Sequence, residues 1–465
     1  MDDVLEMDGW AQAELLSRRE VSPVELARAS IERANRLNPQ LNALVCERFE
    51  KALARASLGG FKAPFHGAPA TLKDLSPLEG APFVRGARAF RDAVSETSGF
   101  LAQRMERAGL NIIAKTSTSE LGLSPFGRCQ VSGDTRNPWN LLHDSGGSSA
   151  GAAVSVASGM VAFAQAGDGG GSIRIPASAC GLVGLKPTRG YATHAPNPNC
   201  DGFLVYGAVT KSVRDAAMFA DAICGAKMGD RWRRSPTRLV KALRAPIRSL
   251  KIALAPQGLM GLPVSAEVSA AVRGAGETLE ALGHAVVEDR PSLDGASVLE
   301  AAVAIFSVGA ARVVHGPGSD ASNYEPWTRY LAQRAMEGPP FAHLLAWEVL
   351  QNAIYAKAEF FRRFDVIVAP VSTGAAPLIA SLDPDTSIAQ FMTDVLAMSG
   401  ENMLWNASGW PAIAIPLTQD GDGLPIGVQL MSCEGQDARL IRLAAQMEEA
   451  RPWAESLRAL HRRLA

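Results

Sequence analysis

Residues 144–190 read DSGGSSAGAAVSVASGMVAFAQAGDGGGSIRIPASACGLVGLKPTRG, and the rest of the chain is organised around them. The stretch is poor in charge and rich in Gly, Ser and Ala. It carries two glycine–serine clusters, Gly146-Gly147-Ser148-Ser149 at its start and Gly169-Gly170-Gly171-Ser172 near its centre. Glycines beside a hydroxyl let the backbone approach a ligand closely and turn its N–H groups toward one point, the shape of an oxyanion hole next to a nucleophile. Most Gly-Ser runs are turns or linkers, so the flanks decide. Here 150–160 reads as a small-residue helix and 161–164 as a short buried strand. The Asp168-Gly-Gly-Gly-Ser172 loop therefore leaves the end of a core strand, where α/β proteins carry functional loops.

Outward from this core, helices and strands alternate. Residues 1–60 read as helical, with Ser22-Pro23-Val24-Glu25 in capping-box spacing and an apolar stripe of Leu26, Ile31 and Leu37 ending near Asn38-Pro39. A strand over 68–73 delivers Lys73 into the interior, and a second over 111–115 follows a helix at 101–108. Residues 191–245, with 194–200 and the Trp232 region, read as loops over the site. Alternation resumes with a strand at 251–255, a helix at 266–282 and a strand at 285–287. Helices fill 295–363, followed by a buried strand at 365–369, a helix at 387–407, strands at 412–416 and 426–430, and a closing helix at 438–450. There are no repeats, low-complexity tracts or linkers. The pattern predicts one large α/β domain over 1–465, a mixed β-sheet core covered by helices on both faces. Within it stand an N-terminal helical segment (about 1–60), the core (about 64–190) and a helical insertion (about 295–363).

Composition narrows the function. At 465 residues, 47% hydrophobic and 20% charged, the chain can bury a large core. A net charge of −1 gives no footing for a nucleic-acid partner, and the Arg231-Trp232-Arg233-Arg234 cluster reads as a solvated loop. The six cysteines (Cys46, Cys129, Cys180, Cys200, Cys224, Cys433) lack CxxC-type spacing, which predicts reduced thiols in a cytoplasmic protein. The histidines show neither HxxxH nor HExxH spacing, so no metal or other cofactor is expected. MDDVLEMDGW has no apolar core for a signal peptide, and the uncharged run 150–167 contains too much Ser, Gly and Gln for a membrane span. The protein is expected to be a monomer or homodimer with neither a nucleic-acid nor a membrane partner.

Several motifs in order make the reading specific. Gly-Gly-Ser-Ser-Ala-Gly at 146–151, Asp-Gly-Gly-Gly-Ser-Ile-Arg-Ile-Pro-Ala at 168–177 and Cys-Gly-Leu-Val-Gly-Leu-Lys-Pro-Thr at 180–188 resemble the signature of the amidase signature family. Those enzymes are serine hydrolases with a Ser–Ser–Lys triad. Pro-Phe-His-Gly-Ala-Pro-Ala-Thr-Leu-Lys-Asp at 64–74 resembles the family's lysine segment and Thr-Arg-Asn-Pro-Trp at 135–139 the approach to the first serine. Gly-Leu-Pro-Ile-Gly-Val-Gln-Leu at 423–430 resembles a C-terminal strand.

The resemblance implies that Ser172 is the nucleophile, Ser148 the bridging serine and Lys73 the base, spaced 75 and then 24 residues apart. It also implies a cis peptide before Ser148. The chemistry is coherent: a serine hydroxyl needs a neighbour to take its proton. Lysine can do so only when neutral, which near pH 7.5 means overcoming about 4 kcal/mol of charge preference, a size that burial without a carboxylate partner supplies. The N–H groups of Gly169, Gly170, Gly171 and Ser172 are expected to face the oxyanion, with Asp168 and Arg174 pairing across the loop. Relative to the commoner Thr-Asp-Thr-Gly-Gly-Ser form, this chain has Gly167 and Gly169. Ser149 sits centrally in a formal G-x-S-x-G. The nucleophile elbow needs a strand immediately before it, and 137–144 is polar and broken by Pro138, so Ser149 reads as a supporting residue.

By resemblance the substrate pocket draws on Leu123, Ser124, Pro125 and Phe126 and on Phe391, Met398, Met403, Leu404 and Trp405. As a set these provide apolar walls with no charged clamp. The expected activity is hydrolysis of neutral, apolar or aromatic small amides, with anilides, aryl carbamates and oligoamides in range. The alternative is the amidase subunit of a glutamine-dependent tRNA amidotransferase, in which Gln usually stands where this chain has Ile175. A catalytically silent scaffold fits poorly with Lys73, Ser148 and Ser172 all present.

Overall fold

The computed structural model describes residues 1–195, 200–234, 237–383 and 387–464. Thirteen strands follow in chain order. They are β1 (Leu44–Glu47), β2 (Pro69–Lys73), β3 (Asn111–Thr116), β4 (Arg136–Asn137), β5 (Asn140–Asp144), β6 (Phe163–Asp168) and β7 (Val183–Lys186). After them come β8 (Val205–Thr210), β9 (Lys251–Leu254), β10 (Ala285–Glu288), β11 (Val366–Pro370), β12 (Ala412–Gln419) and β13 (Pro425–Met431). Eleven form one sheet in the order β1-β3-β2-β6-β8-β7-β12-β13-β11-β9-β10, while β4 and β5 make a separate ribbon. The sheet is mixed: β2 runs parallel to β3 and β6, and β9 to β10 and β11, with the remaining pairs antiparallel.

Strand alternation shows both faces covered. Ile252, Leu254, Val366, Val368, Val428 and Leu430 pack in one core with the helices Ala266–Ala281 and Asp437–Ala450. Their neighbours Ala253, Ile367, Ala369 and Met431 pack in another with the helices Gly295–Val314, Ala342–Phe360 and Ile388–Ser408. The predicted insertion is three helices, Gly295–Val314, Pro326–Glu337 and Ala342–Phe360. Gly295–Val314 is, among the described residues, the one helix apolar and long enough to cross a membrane, and half of its apolar window is buried in the fold.

Several elements differ from the sequence reading. β1 interrupts the N-terminal helices. The helix Pro23–Leu41 runs through Pro39 to end on Asn42, whose left-handed backbone (φ 52°) lets its N–H reach Asn38 O at 2.8 Å. Residues 191–245 are not all loop. They hold β8, buried along its whole length, and the helix Val213–Ile223, capped by Ser212. Residues 196–199 of the expected loop lie outside the described residues. The core strand β6 starts two residues later than expected and extends to Asp168, so that the loop leaves the sheet at the carboxylate.

Candidate active site

Lys73 ends β2 and Asp168 ends β6, its parallel neighbour, so both open at the carboxyl edge of the same strand pair, where α/β sheets bind ligands. The 145–149 turn is brought to this edge by backbone contacts. Asp144, fully buried, accepts the N–H groups of Gly127 (2.9 Å) and Gly146 (2.7 Å), and burial pushes its carboxyl up to about 7. Gly147 donates to Pro125 O at 2.6 Å. Only glycine fits here, because a Cβ on Gly147 would stand 2.1 Å from Phe126 O. The Gly147–Ser148 peptide is cis.

Lys73 and the two serines meet. Lys73 Nζ donates to Ser148 Oγ at 2.7 Å and to Ser149 Oγ at 2.9 Å. Ser149 in turn donates to Gly167 O at 3.2 Å, and its hydroxyl is entirely enclosed. A strand does precede the G-x-S-x-G turn, contrary to the sequence reading, but it is β5 of the small ribbon, off the main sheet. Burial lowers the Lys73 ammonium to about 7, against a small opposing pull from Asp168. Ser172 stands apart from the pair. It is 8% exposed and faces a cleft, and its hydroxyl has no hydrogen-bond partner among the described residues. Gly122 lines the same cleft and packs against Ser148, where a built methyl would sit 3.2 Å from Ser148 Oγ.

The loop before Ser172 is held from beneath. Arg174 forks onto Asp168, Nε to Oδ2 and a terminal nitrogen to Oδ1, both at 2.9 Å and both fully buried. Burial alone would raise the Asp168 carboxyl, but the Arg174 charge and hydrogen bonds hold it well below the usual carboxylate range. Asn406 donates to Asp168 O (2.8 Å) and accepts from Arg174 (2.7 Å), while Gln429 accepts from Arg174 at 2.9 Å. Gly171 bends back (φ 110°) and gives its N–H to Asp168 Oδ1 at 2.8 Å. That corrects its expected place among the oxyanion donors: the carboxylate has already taken it. The N–H groups of Gly169, Gly170 and Ser172 have no protein acceptor among the described residues. Because removing one partner of a buried pair strands the other's charge, Arg174→Met is expected to lower stability by about 3–5 kcal/mol, read from urea unfolding midpoints. An unchanged midpoint would show that the fork contributes nothing.

The cleft has two walls. One is Gly122, Leu123, Ser124 and Pro125; the other comes from the insertion and the following helix, with Val303, Phe306, Trp327, Leu331, Val395, Ser399 and Met403. Leu123, Ser124, Pro125 and Met403 thus stand where the sequence reading put them. Phe126 and Trp405 do not line the cleft. Phe126 is fully buried against Phe391 with ring centroids 5.4 Å apart, and Trp405 stacks over the buried Lys357 ammonium at 4.1 Å. Both are core because their side of the backbone faces neighbouring elements. The insertion is fastened to the site: Glu120 accepts the Glu325 N–H at 2.8 Å and Trp327 Nε1 donates to Leu123 O at 2.9 Å. Sequence reading missed Asn406 and Gln429, although buried amides in otherwise apolar elements are a signal. It also missed Val303, Phe306, Trp327 and Leu331, for which the apolar stripe of a helix gives none. Among the described residues, no three His, Cys, Asp or Glu side chains gather as metal ligands.

A family model described as Amidase matches residues 25–441. The 6-aminohexanoate-cyclic-dimer hydrolase of Paenarthrobacter ureafaciens is 32% identical over 472 aligned positions, which cover 96% of this chain and 95% of that protein. A solved 6-aminohexanoate cyclic dimer hydrolase complexed with substrate superposes with a TM-score of 0.91 at 31% identity, over 98% of this chain and 99% of that one. A bacterial aryl acylamidase of the amidase signature family shares the fold, with a TM-score of 0.89 at 23% identity over 98% of each chain. The chain belongs to the amidase signature family. It is an amidohydrolase, acting on carbon–nitrogen bonds other than peptide bonds.

Proposed function

We propose that this enzyme hydrolyses neutral, apolar or aromatic small amides through an acyl-enzyme on Ser172, with Ser148 relaying the proton and Lys73 as base. The observation that carries the reading is Lys73: a buried amine lowered to about 7 and hydrogen-bonded to Ser148 at 2.7 Å. In the first half-reaction Ser172 Oγ bonds to the carbonyl carbon, its proton passes to Ser148, and the Ser148 proton passes to Lys73 Nζ. The oxyanion is met by the open N–H groups of Gly169, Gly170 and Ser172. Return of the proton through Ser148 to the amine nitrogen breaks the C–N bond, and water repeats the sequence to free the acid.

The cleft supports the substrate class. Among the described residues no Asp, Glu, Lys or Arg lines it, so an α-amino acid such as glutamine would lose the hydration of its charges without a partner. Cyclic 6-aminohexanoate dimer, named as substrate for the relatives above, is likewise an amide without free charge. The test compares kcat/KM for an acyl nitroanilide with ammonia release from glutamine, using the isolated chain. The nitroanilide is expected to win. Preference for glutamine, or activity only with added partner proteins, would favour the amidotransferase alternative. Because the base in this scheme is Lys73, incubation with EDTA is expected to leave the rate unchanged, and a rate lost to chelator and restored by zinc would refute the scheme.

A further inference from the structure

The cleft beside Ser172 has a direction. On the helix Ile388–Ser408, Val395, Ser399 and Met403 recur every four residues as one stripe along the wall. Met403 marks the near end: a methyl built on Gly170 would lie 3.7 Å from Met403 Cγ and 3.4 Å from the Phe306 ring. Val395 lies just over two turns away, about 12 Å along the axis. Trp327 closes that end. Its ring meets Phe391, one turn before Val395, edge-on with centroids 5.3 Å apart. Leu331 follows one turn after Trp327 on the same wall. The polar atoms here are already engaged, since Ser399 turns its hydroxyl back to Val395 O at 2.6 Å and the Trp327 N–H is held by Leu123 O at 2.9 Å.

We infer that this groove gauges the length of the acyl half of the substrate. An unbranched apolar acyl chain lies along the stripe from Met403 to Val395, and Val395, Leu331 and Trp327 set the longest chain that fits. This rests on the acyl-enzyme reading of Ser172. The acyl half is assigned because this wall is sheltered from solvent, with Val395, Ser399, Met403, Trp327 and Leu331 each at most 5% exposed. The acyl group stays bonded to Ser172 while the amine departs and water enters, so the part that stays belongs on the sheltered side. With bonds of about 1.5 Å, a zigzag chain advances about 1.25 Å per carbon, and 12 Å takes roughly ten carbons.

The full chain is assayed with nitroanilides of straight-chain acids from acetyl to tetradecanoyl. A second series fixes the acyl group and lengthens a straight-chain amine. In the acyl series kcat/KM is expected to climb about fourfold per methylene to a maximum at about ten carbons and then fall, with the amine series flat. Val395→Phe moves the maximum to shorter acids, and Val395→Ala and Leu331→Ala move it to longer ones. Melting curves identify any variant that does not fold, and the remaining two then carry the test. An acyl profile without a maximum, a length dependence that follows the amine, or a maximum unmoved in folded variants overturns the gauge. Ser172→Ala is assayed in parallel. If it retains activity, the acyl-enzyme reading fails, and the gauge with it; if it is dead and the wild-type profile is flat, the gauge alone fails.

Discussion

Ser172→Ala is expected to lower kcat by about 10⁵-fold or more and to leave the fold intact. The large effect follows from the loss of the only protein atom in the scheme that bonds to the substrate carbon. The intact fold follows from the hydroxyl having no hydrogen-bond partner among the described residues, so its removal orphans nothing. Ser149→Ala is expected to be milder, because that hydroxyl orients Lys73 and Gly167 without touching substrate. Turnover of a nitroanilide, with mass spectrometry of trapped acyl-enzyme, reads both variants. Full activity in Ser172→Ala with a dead Ser149→Ala would move the nucleophile to the G-x-S-x-G serine.

Lys73→Ala is the second large effect, about 10⁴-fold, with Ser148→Ala less severe because water can stand in for the relay. The pH dependence follows from the same group. Burial disfavours the ammonium, so the Lys73 value falls to about 7, and only the neutral amine accepts a proton. The rate is therefore low below pH 7, rises through an apparent value near 7 and holds level on the alkaline side. Burial also raises Asp144 and Glu120 to about 7, so the limb needs assignment. It should vanish in the residual activity of Lys73→Ala and persist in Asp144→Asn. The reverse pattern would remove Lys73 from the role of base.

The residues of the proposed chemistry were more legible in the sequence than the lining of the cleft, for a physical reason. Lys73, Ser148, Asp168, Ser172 and Arg174 lie in motifs whose glycines leave room for close backbone approach, as Gly147 does beneath Phe126. Such constraints act locally and leave a local trace. Val303, Phe306 and Leu331 reach the cleft from helices more than a hundred residues away, and nothing in an apolar helical stripe says which of its residues face a ligand and which the core. Trp405 shows the converse, a large aromatic in the right segment whose ring is occupied by Lys357. Gly171 was misread for a different cause: the sequence supplies the glycine but not the sign of its turn, and φ 110° directs its N–H to Asp168. β8 was hidden by Gly207, which weakens a strand signal and is required there because a Cβ would stand 2.3 Å from Leu185 O.

The division of the cleft between two walls has an evolutionary consequence. The residues proposed to handle the proton come from β2 and the 144–190 stretch, whereas the facing wall draws Val303, Phe306, Trp327 and Leu331 from an excursion between β10 and β11 and the rest from the helix Ile388–Ser408. The two meet through a few fastenings, among them Glu120 to Glu325 and Leu123 to Trp327. Mutation can accumulate in the excursion and retune which molecules are accepted without disturbing the atoms that break the bond. Grafting the helices of 295–360 between relatives is then a route to exchanging the molecules they accept.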